Sequence, residues 1–434
     1  MGRKNTWCFI SRSFAGLTLA AMLVISASAA SKDKVLHPFT GGNDGGDPAA
    51  GLVLDKAGNI YGTTVVGGTG SACSGGCGTV FKLTLSGGKW SEKVLYNFQG
   101  GLDGKNPYGG VTLDDKGNLY GTTVAGGSGG TCSGDGCGIV FKLTRHGSSY
   151  SESIIYSFTG FEGIHPDGFG PGAGLVFDKN GHLYGTTPDG GDASCNPPNG
   201  CGTVFKLTPS GQEWKEKVIH SFTGGNDGAV GSLGSLHVDN AGNLFGVAEL
   251  GGDDSCNPPN GCGAVYKLVP ATGGKWEFST IDAFQGQPHA GFPYGGLISD
   301  AAGSLFGTTY YAGKNGKGTV FKLTQSGGVW KESVLYSFKG GTDGANPTST
   351  LAFDTTGNLY GTTSAGGDSN GDGVVFKLTL SGGKWKESVV HRFGPAPDGA
   401  NPYYGLVPDK QGKLYGTTAT GGNGGNGVVF EITP

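Results

Sequence analysis

The sequence predicts an all-β fold, a seven-bladed β-propeller with four antiparallel strands in each blade. The first observation is a motif of the form GNLYGTT, which occurs seven times with small changes. Its aromatic residue recurs every 54 to 64 residues, a period typical of propeller blades with extended loops. The aromatic positions are Tyr61, Tyr120, Tyr184, Phe245, Phe306, Tyr360 and Tyr415. This regular period also excludes the disorder that 90 Gly and 20 Pro residues would otherwise suggest.

The second observation is that each repeat contains four strand-like runs. In the second repeat they are residues 109–114, 118–123, 138–144 and 150–158, rich in β-branched and aromatic residues and separated by Gly/Asp/Asn/Ser turns. Helical periodicity is absent after residue 31. Four strands in each of seven repeats predict the seven-bladed ring.

The third observation concerns the ends of the chain. The last repeat stops at residues 428–434 without a fourth strand, whereas VLHPF at residues 35–39 matches the fourth-strand ends VLYNF, VLYSF and VVHRF. We therefore expect the N-terminal strand to complete the last blade, which closes the ring and removes an exposed edge. An open β-solenoid is the alternative, but it would need no such complement.

The letters of the motif have structural interpretations. Gly-Asn closes the hairpin between strands one and two, because both residues tolerate positive φ. The Leu and Tyr are predicted to pack between blades, and the Gly after Tyr leaves room for a neighbouring aromatic ring. In repeats one to six, one aromatic residue opens the fourth strand and is predicted to stack between blades: Trp90, Tyr150, Trp214, Trp276, Trp330 and Trp385.

Residues 1–30 have the pattern of a secretory signal peptide. Arg3, Lys4 and Arg12 are followed by an apolar stretch at 14–25 and then by small residues. We therefore expect an exported protein, extracellular or periplasmic, whose mature part (31–434) is a single propeller domain. No later apolar run is long enough to span a membrane.

The charge of the mature chain limits its partners. Loss of the three basic residues and of no acidic residue changes the formal charge from −4 to −7. This acidic surface without Lys/Arg clusters argues against nucleic acid and anionic membranes as partners. We expect a monomer.

Eight cysteines of the mature chain form four close pairs in the loop between strands two and three of repeats one to four. Repeats five to seven lack both members of the pair. Cysteines that are present or absent together in an exported protein predict local disulfides, and zinc is the alternative. The predicted pairs are Cys73 with Cys77, Cys132 with Cys137, Cys195 with Cys201, and Cys256 with Cys262.

The repeat YGTT-x-x-GG…GTVFKLT…W-x-E-x-VLYSF-x-GG-x-DG-x-NP resembles the GloVer tandem repeat of bacterial exported proteins, over residues 35–434. The resemblance implies no established enzyme activity and no catalytic residues. Members of that family carry varied C-terminal surface anchors, whereas this chain ends inside its last blade, so no C-terminal anchor is expected. A weaker likeness to lyase and lactonase propellers concerns the fold alone.

Candidate binding residues lie on the face that carries the disulfide loops and the recurrent GG-x-DG-x-NP loop. Tyr108, Tyr294 and Tyr403 precede the first strands there and could be sugar platforms or could shape the strand entry. The loop acids could ring the channel mouth or could serve the Asp-Gly turns. They are Asp44, Asp103, Asp227, Asp343 and Asp398, with Glu162 in a related place.

Sites are expected where one repeat departs from the others, because acid–base chemistry needs residues with different roles. The departures concentrate in repeats four and five. His237 stands on an inner strand, Glu249 follows the altered motif GNLFGVA, and His289 replaces the Asp-Gly signature. The hypothesis is that these three line the channel mouth as its polar focus; drift in a degenerate repeat is the alternative.

One metal motif is present. DSNGDG at 368–373 has the spacing of a calcium loop, with Asp368, Asn370 and Asp372 as oxygen ligands, but it lacks the acidic residue at loop position nine or twelve. A tight polar turn is the alternative. No other cofactor is expected.

The sequence therefore favours an exported, non-enzymatic binding or surface-interaction propeller with an extracellular carbohydrate or protein ligand. The alternative is a propeller hydrolase or lyase for extracellular glycans or lactones. No catalytic residue is assigned.

Overall fold

The computed structural model describes residues 32–434 except 131, 133, 161–165, 197–198 and 232–233. The predicted signal peptide lies outside these residues. In the described residues, the regular secondary structure consists of β-strands and three short 3-10 helices, η1 (Gly101–Asp103), η2 (Thr272–Gly274) and η3 (Gly341–Asp343). It contains no helix with the length and hydropathy of a membrane span.

The strands of the first half are β1 (Lys32–Pro38), β2 (Val53–Leu54), β3 (Ile60–Thr64), β4 (Thr79–Ser86), β5 (Lys89–Asn97), β6 (Thr112–Leu113), β7 (Leu119–Thr123), β8 (Ile139–His146), β9 (Ser149–Ser157), β10 (Val176–Phe177), β11 (Leu183–Thr187), β12 (Thr203–Ser210), β13 (Glu213–Ser221), β14 (Ala229–Gly231), β15 (His237–Val238), β16 (Leu244–Leu250), β17 (Ala264–Pro270) and β18 (Trp276–Ala283). Those of the second half are β19 (Ala290–Pro293), β20 (Ile298–Ser299), β21 (Leu305–Ala312), β22 (Thr319–Ser326), β23 (Val329–Ser337), β24 (Ala345–Pro347), β25 (Ala352–Phe353), β26 (Leu359–Ala365), β27 (Val374–Ser381), β28 (Lys384–Arg392), β29 (Gly399–Ala400), β30 (Val407–Pro408), β31 (Leu414–Thr418), β32 (Thr420–Gly421) and β33 (Val428–Thr433).

These strands form seven antiparallel blades in the described residues, which confirms the predicted propeller. Blades 1 to 3 are β2–β5, β6–β9 and β10–β13. Blades 4 to 6 are β14–β18, β19–β23 and β24–β28, each with a first strand in two pieces. In blade 7, β30, β31 and β33 pair in that order with β1, and a short pair of β29 with β32 lies beside them.

The N-terminal strand closes the ring as predicted. β1 pairs antiparallel with β33, with Val35 opposite Phe430, and the Phe39 N–H donates to the Gly427 carbonyl at 2.9 Å. The first segment of the described chain thus covers the edge that the last segment would expose, as ring closure requires.

The repeated motif holds each blade together and ties it to the next. In blade 2 the Tyr120 hydroxyl donates to the Asp114 carboxylate (3.2 Å), which belongs to the turn before it. A Cβ on Gly121 would lie 2.5 Å from the ring of Phe141, so only Gly fits beneath that buried ring. The Thr122 hydroxyl donates to the Ala173 carbonyl of blade 3 (3.2 Å). The motif therefore recurs because each interface between blades needs it.

The first strands are shorter than predicted, only two residues long in blade 2, because the glycines that precede them leave the sheet. A Cβ on Gly110 would lie 2.5 Å from the Gly51 carbonyl oxygen of the preceding blade. Glycine thus lets the backbones of neighbouring blades approach around the axis. They enclose a narrow channel with a cavity of about 290 Å³.

All four predicted disulfides are present, on blades 1 to 4. They join Cys73 with Cys77, Cys132 with Cys137, Cys195 with Cys201, and Cys256 with Cys262. Each lies against the glycine that follows the fourth strand of its own blade; a Cβ on Gly224 would lie 2.4 Å from the Cys195 sulfur. The disulfide loop and the loop to the next blade therefore share one face, as predicted. Four disulfides are typical of an oxidising, extracellular environment.

The second cysteine of each pair is more than a loop residue, which the sequence did not indicate. These four sulfur-bearing side chains are buried and belong to the apolar clusters between blades: Cys77, Cys137, Cys201 and Cys262. Each stands two residues or fewer before the start of the third strand of its blade, so it enters the core with that strand. The disulfides therefore fasten the surface loops to the packed interior, and these cysteines are structural rather than ligand-binding.

Candidate functional site

The outer contact between neighbouring blades, which we call the rim, consists of the end of a fourth strand, the loop after it and the fourth strand of the next blade. The loop aspartates belong to this rim. The Asp343 carboxylate accepts bonds from the Tyr336 hydroxyl (2.8 Å) and the Lys339 N–H (3.2 Å). His220 and His391 take the place of Tyr in two blades and contact Asp227 at 3.2 Å and Asp398 at 3.0 Å. The aspartates therefore serve turns and blade contacts.

Asp167, rather than Glu162, makes the corresponding contacts after blade 2, and Glu162 lies outside the described residues. The Asp167 side chain is buried and accepts bonds from the Tyr156 hydroxyl, the Thr159 hydroxyl and the Gly160 N–H. The loop here is longer than in the other repeats, and that length hid the equivalence in the sequence.

At several of these contacts between blades, the rim also includes a glutamate from the fourth strand of the next blade. One carboxylate oxygen of each glutamate is buried and has no partner among the described residues. Burial, and then the neighbouring loop aspartate, raise the pKa of these carboxyls. The pKa values are about 7 for Glu92, Glu152 and Glu387 and about 8 for Glu216. Because these glutamates recur around the ring, we attribute their raised pKa values to the packing of the scaffold and not to a functional site.

The strongest candidate site lies at the end of the channel on the loop-rich face, which we call the mouth. Tyr108 of blade 2, Tyr294 of blade 5 and Tyr403 and Tyr404 of blade 7 line one cavity there of about 570 Å³. The mouth is continuous with the channel, since Tyr294, Tyr403 and Tyr404 line both cavities. The structure thus brings together all three tyrosines that the sequence singled out.

Two further residues of the mouth were missed in the sequence, Tyr404 and Asp47. Tyr404 is half-buried in the wall of the cavity, and burial raises the pKa of its phenol. Asp47 lines the same cavity. It stands where three other repeats have Asn before Pro, so the rule of looking for departures would have found it if applied to that loop.

The mouth has an acidic character. Burial raises the pKa of the Asp47 carboxyl, whose Oδ1 is buried without a partner among the described atoms. Burial also raises the pKa of Glu249. Burial, then the Glu249 charge and neighbouring tyrosines, raise the pKa of Tyr294 to about 12. None of the described residues that line the mouth cavity is Lys, Arg or His.

The three departures of repeats four and five do not come together. Glu249 lies near Tyr294 at the mouth. His237 is opposite Phe245 on β16, four residues from Glu249 and so about 13 Å along the strand. His289 lines a separate outer cavity with Asp282 and Glu332. The hypothesis of a joint polar focus is therefore not supported for His237 and His289.

The calcium-like loop is a turn held by its own residues. The Asp368 carboxylate accepts the N–H groups of Asn370 (2.8 Å) and Gly371 (3.0 Å), and the Asp372 carbonyl accepts the Asn401 N–H (2.8 Å). Within the described part of the chain, no three His, Cys, Asp or Glu side chains are grouped to hold a metal ion. Calcium binding here remains a prediction.

The model of the Gloeobacter/Verrucomicrobia repeat matches this chain over residues 23–195, 69–256 and 255–434. The chain belongs to that family. The family resemblance inferred from the repeats is thus confirmed. A search of curated proteins finds no match.

Several solved structures are distantly similar. A protein of unknown function from Dyadobacter fermentans is 12% identical, with a TM-score of 0.45 over 93% of this chain and 98% of its own. A Bacteroides uniformis protein, provisionally named a 6-phosphogluconolactonase, is 12% identical, with a TM-score of 0.48 over 78% and 84%. A Thermus thermophilus protein, provisionally named an oxidoreductase (glucose dehydrogenase), is 14% identical, with a TM-score of 0.43 over 93% and 100%. Likenesses at this level carry no argument about function.

Proposed function

We propose that the protein is an exported binding propeller that holds a carbohydrate at the mouth of its channel. The observation that carries the proposal is the convergence of Tyr108, Tyr294, Tyr403 and Tyr404 from three blades on one open cavity. Elsewhere the repeated aromatic residues are used between blades: Trp214 stacks edge-on against Tyr120 of the preceding blade, with ring centroids 6.0 Å apart. The tyrosines of the mouth line an open cavity instead, and the one described ring contact among them is that of Tyr294 with Tyr310 of its own blade (6.0 Å).

The chemistry of the cavity suits a sugar. A tyrosine ring offers an apolar face to the C–H groups of a pyranose, and its hydroxyl offers a hydrogen bond at the edge. Tyr403 is 40% exposed, which leaves its ring open to a ligand. The neighbouring blades contribute only small side chains at the position after Pro, Ala49, Gly172 and Thr348, so the cavity stays open on those sides.

Binding is favoured over catalysis because a general acid or base must lie within hydrogen-bond reach of the reacting group. A hydrolase or lyase would need its acid and base among the residues that depart from the repeat, and His237, Glu249 and His289 lie in three different surroundings. We therefore assign the mouth a binding role.

The test is a polysaccharide and oligosaccharide array probed with the mature chain, scored for both binding and product release. Hits are then titrated with Tyr108→Ala and Tyr403→Ala variants. Each should weaken binding about tenfold or more, because an aromatic ring buried by a ligand contributes about 1.5–3 kcal/mol.

The control is Leu102→Ala, which removes an exposed apolar side chain (67% exposed) from an outer loop and should leave binding unchanged. Absence of any glycan hit, or hits that the tyrosine variants bind as well as the parent, would overturn the proposal. Product release would replace it with the enzyme alternative.

A further inference from the structure

The mouth contains a carboxyl group where the repeat calls for an amide. The residue before the loop proline is Asn106, Asn346 and Asn401 in blades 2, 6 and 7, each with positive φ. The Asn106 Nδ2 donates to the Val65 carbonyl of the preceding blade (3.0 Å), and the Asn346 Nδ2 donates to the Tyr310 carbonyl (3.0 Å). The Asn401 Nδ2 bonds the Ser364 carbonyl in the same way (3.1 Å). In these blades the side chain joins two blades.

Asp47 has the same backbone conformation (φ 52°) in blade 1, but an ionised carboxylate cannot donate that bond. Its Oδ1 is buried and has no partner among the described residues. An Asn at this position could donate the bond that blades 2, 6 and 7 make, so the carboxylate forgoes a contact between blades. An unsatisfied buried group of this kind at a cavity is a reason to look for a ligand.

The surroundings of Asp47 indicate the chemistry of that ligand. The Asp47 charge acts on Tyr108 and Tyr404, which line the same cavity. Glu249 adds a second carboxyl beside Tyr294. The faces of tyrosine rings are themselves electron-rich and attract cations, most strongly where water is excluded. No cationic side chain lines the described part of the cavity.

We infer that the mouth selects an amino sugar with a free, protonated amine, whose ammonium group lies between the Asp47 carboxylate and the tyrosine rings. This inference rests on the proposed carbohydrate function. The ammonium would pair with the Asp47 carboxylate where that side chain lines the cavity. The same field excludes uronic acids and other anionic sugars.

A sugar amine fits the cavity better than a lysine side chain of a protein. The cavity also carries phenol hydroxyls, the Thr420 hydroxyl and the Asn426 amide. The hydroxyls of a pyranose can form hydrogen bonds with the phenol hydroxyls of the cavity, whereas the methylene chain of lysine offers those hydroxyls no partner.

The experiment is calorimetric titration of the mature protein with three oligomers of equal length: glucosamine with free amines, N-acetylglucosamine and neutral glucose. The free-amine oligomer should bind at least tenfold more tightly than the N-acetylated one, and added salt should reduce the difference. Asp47→Asn should abolish the preference while leaving the protein as stable as the parent or more so.

The matched control is Asp115→Asn, which makes the same charge change at a side chain that is 98% exposed. It should keep the preference. Equal affinity for free-amine and N-acetylated oligomers would overturn the amine inference but leave carbohydrate binding intact. Failure of all three oligomers, together with failure on the array, would overturn both.

Two further outcomes would also overturn the inference. One is a preference for free amines that persists in Asp47→Asn, because the carboxyl would then not be its source. The other is tighter binding of a lysine-rich peptide than of the glucosamine oligomer, because the ligand would then be a protein.

Discussion

The rim and the mouth are built from the same residue types, tyrosine and acidic side chains. At the rim these side chains pair with one another, whereas at the mouth they line a cavity. At the rim, Tyr336 donates to Asp343, and this pairing recurs between blades with Tyr or His as the partner. At the mouth, Tyr404 and Asp47 line a cavity instead, and the Asp47 Oδ1 has no partner among the described residues. Perturbed pKa values occur in both regions, so they do not distinguish a site from the scaffold. The absence of repetition around a cavity does.

The largest expected effect is at the rim. Asp167→Ala should lower the free energy of unfolding by about 3 kcal/mol or more, because it leaves the buried Gly160 N–H and the Tyr156 hydroxyl without their acceptor. Chemical denaturation of the mature protein measures this. A loss below about 1 kcal/mol would show that the rim pairs are not structural and would remove the contrast with the mouth.

A reciprocal exchange tests the same contrast at one repeat position. Asp47→Asn should stabilise the protein by about 1 kcal/mol, because the amide can bond the preceding blade as Asn106 does. Asn346→Asp should destabilise it by about 1–2 kcal/mol, because the bond to the Tyr310 carbonyl is lost. Both are measured by denaturation at one pH. Destabilisation by Asp47→Asn would contradict the view that the carboxyl costs stability.

The pH dependence of stability should be set by the rim. The pKa of Glu216 is raised to about 8 in the folded state, so its stabilising contribution is complete below the unfolded value near 4.5 and is lost as the pH rises through 8. The rim carboxyls whose pKa is near 7 act in the same direction. His37 and His237, whose pKa values are lowered by burial, oppose them but are fewer.

We therefore expect the unfolding free energy to be greater at pH 5 than at pH 8. In Glu216→Gln the difference should shrink by an amount on the order of 1 kcal/mol, after discounting for the partial exposure of the side chain. Denaturant titrations at the two pH values measure it. A protein that is more stable at pH 8 would show that the rim glutamates are fully ionised at little cost.

The smallest effect is expected at residues 368–373. Because the Asp368 carboxylate already accepts two backbone N–H groups, calcium should shift the melting temperature by less than about 1 °C. Thermal melting with excess calcium and with chelator measures this, with Asp368→Asn as the comparison. A clear rise with calcium that Asp368→Asn removes would establish a metal site at this turn.

Much of the fold could be predicted because a propeller blade is local in sequence. Each hairpin pairs residues less than about thirty positions apart, so the spacing of Leu119, Phe141 and their equivalents records the ladder directly. The disulfides are local too. Ring closure was visible because the last repeat lacks the strand that residues 35–39 supply.

The rest of the site could not be predicted in the same way. His289 looked like a mouth residue because it departs from the repeat, yet it lies in an outer cavity with Glu332. Glu249 departs from the repeat and does lie beside the mouth. A difference from the repeat shows only that a residue is unusual. The place of the residue in the folded blade decides whether it lies at the mouth or at the outer surface.

The sequence by itself therefore determined the blades, their number, the closing strand and the disulfides, since these follow from contacts that repeat at a fixed period. Only the tertiary structure decided the mouth. Tyr108 and Tyr294 share a repeat position that the sequence did single out, whereas their meeting with Asp47 and Tyr404 of blades 1 and 7 in one cavity does not follow from the period. They meet because β1 closes the ring onto β33, which brings the Asp47 N–H to the Asn426 carbonyl at 2.9 Å. A contact between residues hundreds of positions apart depends on the geometry of the whole ring, and no local pattern records it.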